Sequence, residues 1–182
     1  MSTFNVPTRN EVSESNQAIF DQLEKGIGFV PNLYASYAHS ETALADYLAL
    51  QNRKSTLSAK EREVINLAVS QVNECVYCLS AHTAIAKMNG FTDDQILELR
   101  AGEASFDNKL NALAAFVRNS VINRSKPDAE VTEGLFNAGY TKANLIDILL
   151  VIGDKTISNF LHGTTQIPVD FPVAPELELA TA

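Results

Sequence analysis

Apolar positions recur three and four residues apart along most of this chain, the period of a helix packed on one face, and no stretch alternates as a half-buried strand would. The breaks fall at start and stop signals. A first helix is predicted over about residues 13–25, with Ala18, Ile19, Phe20 and Leu23 inward and Gly26 and Gly28 as its stop. "FVPNLYASYAHS" places a proline near a helix start, and Ser40 before Glu41 begins the next helix, "ETALADYLALQNR". Ser58 with Glu61, and Thr92 with Gln95, have the spacing of capping boxes. They start helices that run to about residue 72 and to Gly102. Between them "NECVYCLSAHTAIAKMNG" supplies a helix over about 76–89, stopped by Gly90.

"FDNKLNALAAFVRNSVINR" is a further amphipathic helix, and Pro127 with Asp128 opens another that ends near Gly139. Thr141 begins a segment that reaches about residue 166. Its "IDILLVI" run could be a buried strand, but length and the leading Thr favour one long buried helix. The last residues, "IPVDFPVAPELELATA", hold three prolines and no helical period, so they are expected to run extended over a surface, a neighbouring subunit's included. The pattern predicts an all-α fold, with one domain over residues 1–167 and a tail over 168–182.

Composition narrows the partners. The chain has 182 residues, 46% of them hydrophobic, enough for one sizeable core. Its 22 acidic residues outnumber 14 basic ones, giving a net charge of -8, and no stretch gathers Lys and Arg into a phosphate-binding face. Nucleic acid and anionic membrane are therefore not expected partners. No basic region followed by an apolar run opens the chain, and no segment offers about 18 consecutive apolar residues, so the expectation is a cytoplasmic protein. In that compartment structural disulfides are rare, and a close cysteine pair points to metal binding or redox chemistry.

The only two cysteines, Cys75 and Cys78, stand two residues apart, and His82 follows. At about 100° of rotation per residue the three positions share an arc of about 60°, flanked by Leu79, Ile85 and Ala86, with Ser80, Thr83 and Lys87 on the far side. At a helix start the free backbone N–H groups and the positive dipole end favour a thiolate, and the two sulfurs can meet in a disulfide. His82 is placed to move a proton. Folding residues 59–72 and 76–89 as a hairpin about residue 74 brings Glu63 to within about 4 to 5 Å of the height of His82. It is then a candidate proton acceptor, the plainer reading being a solvated helix residue. A zinc site would need a further ligand pair, and only His39 and His162 remain, both distant in sequence. Tyr77 lies off the reactive face and reads as core or subunit interface. Asn159 and His162, on the last helix, read as packing or surface residues, with a pocket near the dithiol as the other placement.

Glu63, eleven residues, "CVYC", three residues and His82 together resemble the signature of the AhpD-like alkylhydroperoxidases of the carboxymuconolactone decarboxylase superfamily. "GFVPNLYASYAHS" is similar to the lead-in of the peroxidase-related branch. The resemblance implies an AhpD-like orthogonal helical bundle, a homotrimer or homohexamer, and peroxide reduction without haem, metal or other cofactor. It implies Cys78 as the nucleophile, Cys75 as the resolving cysteine, and His82 with Glu63 as the proton relay. The substrate would be a small peroxide and the reductant an external dithiol or lipoyl group. Tyr77 stands where some members carry histidine. Two other readings stay open: a general dithiol–disulfide oxidoreductase or redox sensor with weak peroxidase activity, and a helical scaffold whose cysteines only pack.

Overall fold

The computed structural model describes residues 4–177, and among them nine α-helices and no strand. They are α1 (Glu14–Ile27), α2 (Asn32–Tyr37), α3 (Ala43–Gln51), α4 (Ala59–Val72), α5 (Val76–Met88), α6 (Asp93–Ala101), α7 (Asn108–Ile122), α8 (Ala129–Asn137) and α9 (Lys142–Thr165). The capping boxes at Ser58 and Thr92 form as the spacing predicts, and Thr141 forms another with Asn144. "IDILLVI" lies within α9, so the strand alternative falls. No single helix among the described residues is long and apolar enough to cross a membrane.

Two boundaries differ for reasons of local backbone geometry. Gly26 does not stop α1, whose cap is Gly28 at φ 94°, a left-handed value that costs a residue without Cβ little. Helix α3 starts at Ala43, because Ser40 sits in the turn that closes α2. Gly102 is required twice over. It takes φ 85° to cap α6, and a Cβ there would run into the side chain of Arg118.

Helix α4 is the axis of the bundle. Every residue from Glu63 to Ser70 is buried, which a helix tolerates only when neighbours surround it. Here α5, α6, α7 and α9 do so. Burial of each large aliphatic side chain contributes about 1.5 to 3 kcal/mol. Helices α1 to α3 form a smaller cluster around Phe20, Ala35 and Leu44. A clamp ties the α3–α4 connection to α9: the Asp147 carboxylate accepts from Thr56 N at 2.6 Å, Thr56 Oγ1 at 2.7 Å and Arg53 Nη1 at 2.6 Å.

Residues 168–177 form no helix and run over the chain's own surface, where they find hydrogen-bond partners. Asp170 accepts from Asn32 N at 2.6 Å, Ala174 N donates to Ser80 Oγ at 3.0 Å, and Arg100 Nη1 donates to the Pro175 carbonyl at 2.8 Å. Ser80, on the side of α5 away from the reactive arc, is therefore buried beneath this strap. Residues 178–182 of the expected tail lie outside the described residues. Between strap, α2 and α5 lies a third cluster, built from Leu33, Cys75, Tyr77, Cys78 and Ile167. The dithiol thus sits on the seam where the small N-terminal cluster, the strap and the main bundle meet.

Candidate active site

The turn joining α4 to α5 sets the sulfur geometry. Glu74 takes φ 53°, which swings the chain so that Cys75 N donates to the Ser70 carbonyl at 2.9 Å. Cys75 is then the N-cap of α5, outside the helix at φ -84°, ψ 93°, and not a point on its wheel as the shared-arc argument assumed. Its sulfur accepts the Cys78 amide at 3.3 Å, the hydrogen bond an N-cap side chain normally makes. Cys78 follows in the first turn, and both cysteines are free thiols, each 2% exposed.

This arrangement splits the two thiols. The hydrogen bond from Cys75 holds Cys78 below the ordinary thiol range against the opposing effect of burial, with help from Lys155, His82 and the Asn159 amide. The same bond and burial push Cys75 far up. Of the two thiols, Cys78 is the one more readily ionised.

Glu63 is buried, not solvated. The hairpin of α4 and α5 sets its Oε2 2.8 Å from His82 Nδ1, and Asn66 Nδ2 donates to Oε1 at 2.9 Å. Burial alone would raise Glu63, but the charge and hydrogen bond of His82 hold it below the usual carboxylate range. An ionised carboxylate only accepts, so His82 donates through Nδ1 and keeps Nε2 for proton transfer. All four residues singled out from the sequence are brought together.

Tyr77 is a core residue as read, and it has a further task. Its hydroxyl accepts the Leu33 amide at 3.1 Å, and its ring meets Phe171 edge-on at 5.7 Å and His162 at 5.5 Å. That places His162 in the core behind the site. Asn159 is not mere packing. It donates to Ser70 Oγ at 3.2 Å and accepts from Asn73 at 2.9 Å, and its amide favours charge on the cysteines.

Cys78 and His82 open onto a cavity of about 530 Å³, walled by Phe29, Leu33, Tyr34, Ile85 and Phe171, with Lys155 also lining it. Cys75 and Glu63 stand behind this wall. Lys155, 2% exposed, is the residue sequence reasoning missed. A signal existed. Asp154, Lys155, Ser158, Asn159 and His162 continue the buried stripe of α9 begun by Ile148 and Val151, and five polar residues on a buried stripe need a polar neighbour to face. A cavity of about 640 Å³ beside α7, α8 and α9 contains none of these groups. Among the described residues no cluster of His, Cys, Asp or Glu is placed to hold a metal ion.

Residues 38–119, which include the whole hairpin, match the carboxymuconolactone decarboxylase family. The complete fold superimposes on a protein of Ralstonia eutropha JMP134, described as an uncharacterized peroxidase-related protein with an alkylhydroperoxidase AhpD core. The TM-score is 0.82 and the identity 21%, over 92% of each chain. Over residues 38–119 the chain matches the carboxymuconolactone decarboxylase family, and its all-helical fold is AhpD-like. The AhpD-like fold is shared with the debrominase Bmp8, solved with 2,3,4-tribromopyrrole, at TM-score 0.77 and 15% identity, over 93% of this chain and 92% of that one. In sequence, YdfG of Bacillus subtilis (strain 168), itself described as uncharacterized, is 27% identical over 104 residues, 55% of this chain and 69% of its own.

Proposed function

We propose that this AhpD-like chain is a thiol-dependent peroxidase working through a Cys75–Cys78 dithiol/disulfide cycle. The observation that carries the reading is the split thiol pair set beside a buried Glu63–His82 couple, at the wall of a cavity that admits small molecules. The Cys78 thiolate attacks the terminal oxygen of a hydroperoxide, the O–O bond breaks, and His82 returns a proton to the departing alkoxide, leaving a Cys78 sulfenic acid and an alcohol. Cys75 then attacks the sulfenic sulfur, water leaves, and a disulfide remains. An external dithiol restores both thiols by exchange and departs as its own disulfide. Both sulfurs are buried, so that reductant must be slender enough to enter the cavity; a lipoyl arm or a small dithiol suits, whereas a dithiol on the surface of a folded protein does not.

Titrating the thiols of reduced protein after one equivalent of cumene hydroperoxide tests this. Two thiols per chain should fall to none within minutes and return with dihydrolipoamide, while Cys78→Ser should consume no peroxide. Unchanged thiols would overturn the reading.

Reductive dehalogenation is the second reading, favoured by the debrominase that shares the fold and by the aromatic walls of the cavity. The dithiol would supply two electrons to an aryl bromide, giving arene, bromide, a proton and the disulfide. Bromide release from a bromopyrrole by reduced protein distinguishes it from peroxide reduction.

A further inference from the structure

Lys155 is a buried cation without a fixed counter-ion. Its Nζ takes part in none of the five ion pairs among the described residues. The lining of the cavity it faces contains no carboxylate. Of the carboxylates packed nearby, Glu63 is paired with His82, while Asp154, the chain neighbour of Lys155, makes no ion pair with Nζ and keeps a buried Oδ1 without a hydrogen-bond partner. The charge of Lys155 favours the Glu63 carboxylate and the Cys78 thiolate, and of the two only Cys78 shares the cavity lining with it. An isolated ammonium in an apolar cavity is costly, so an anion is stabilised wherever it can reach Nζ. In a chain of net charge -8, such a place is not supplied by the general field.

We propose that Lys155 makes the dithiol cavity a binding site for an apolar organic carboxylate, and that the charge on Cys78 gates it. While Cys78 is a thiolate, Lys155 is neutralised and a second anion gains little. Once Cys78 is neutral, as sulfenic acid or in the disulfide of the proposed cycle, the ammonium is left alone and recruits the carboxylate, whose apolar body fills the space between Phe29, Tyr34 and Phe171. Reciprocity follows: a carboxylate that prefers the oxidised cavity also favours the disulfide over the dithiol. The gating rests on the redox cycle proposed above; the anion site does not.

The test titrates 4-isopropylbenzoate and its neutral counterpart 4-isopropylbenzamide by calorimetry into Cys78→Ser, reduced wild type, and Cys78→Ser/Lys155→Met. Cys78→Ser leaves Lys155 unpaired without any redox step. Benzoate should bind it at least about tenfold more tightly than the amide, as expected for one charge-assisted contact. Its affinity for reduced wild type should be lower. The Lys155→Met partner should lose the preference and keep amide binding, with Lys155→Gln as the second variant should Met disturb folding. Equal affinity of acid and amide for Cys78→Ser, or a preference that survives loss of Lys155, overturns the anion site. Equal benzoate affinity for the reduced wild type and Cys78→Ser overturns the gating. Peroxide-treated wild type that still titrates as two thiols overturns the peroxidase reading instead, and leaves the Cys78→Ser result to decide the site.

Discussion

Glu63 and His82, nineteen residues apart and on different helices, share one hydrogen bond of 2.8 Å in the interior, Oε2 to Nδ1. The carboxylate fixes the ring's orientation and tautomer, leaving Nε2 to carry protons. Glu63→Gln keeps the shape and removes the charge. Peroxide consumption should fall about tenfold or more, and His82→Asn should cost about a hundredfold, within the usual contribution of a positioned acid–base group. Thermal midpoints should show both variants folded. Wild-type turnover in Glu63→Gln would remove the carboxylate from the mechanism.

Cys78 is held at about 6 by Cys75 first, then by Lys155 and His82, against burial. The alkylation rate of reduced protein should therefore be half-maximal near that pH, well below the value of about 8.5 for a free thiol, and peptide mapping should find the label on Cys78. Cys75→Ser weakens the largest support and should move the midpoint up. A midpoint in the ordinary thiol range would mean that the dithiol is structural.

Asp147 anchors the α3–α4 connection, and its hydrogen bonds from Thr56 hold it well below the ordinary carboxylate range. A carboxyl depressed by folding adds stability that is fully present above its unfolded value of about 3.9 and is lost as pH falls toward the folded one. Asp147→Asn should cost about 1.5 to 3 kcal/mol at pH 7 in urea unfolding, and the gap to wild type should narrow below pH 4. A gap independent of pH would show that the charge plays no part.

The outer face of α9 leaves Ile146, Leu149, Leu150, Ile157 and Phe160 exposed at helical spacing, Phe160 by 65%. So large an apolar stripe is covered when a further copy of the chain packs on it, which is where the homotrimer or homohexamer expected from the family resemblance would form. Light scattering of Leu149→Glu/Phe160→Glu should report a smaller particle than wild type. A wild-type monomer at micromolar concentration would refute the assembly.

Helix order was legible because each stop and start is local. Capping boxes at Ser58 and Thr92, the glycine after α1 and the prolines of the strap act within a few residues of where they stand. Boundaries slipped where two local signals competed, as at Gly26 against Gly28. Within the site, Cys78 and His82 belong to one helix, so helical spacing alone put them on one face. Cys75 escaped that rule because a left-handed residue, Glu74, turned it into a cap.

The sequence by itself determined the all-helical class, the reactive stretch and the candidate role of Glu63, since periodicity, capping and short spacing are properties of neighbouring residues. Only the tertiary structure decided that Glu63 is buried against His82, that Asn159 is hydrogen-bonded to Ser70 and Asn73 and that Lys155 stands without an ion pair in the cavity. Those facts depend on which faces of α4, α5 and α9 meet. Packing of the whole core sets that meeting, and at these polar positions the core was satisfied by facing them inward together.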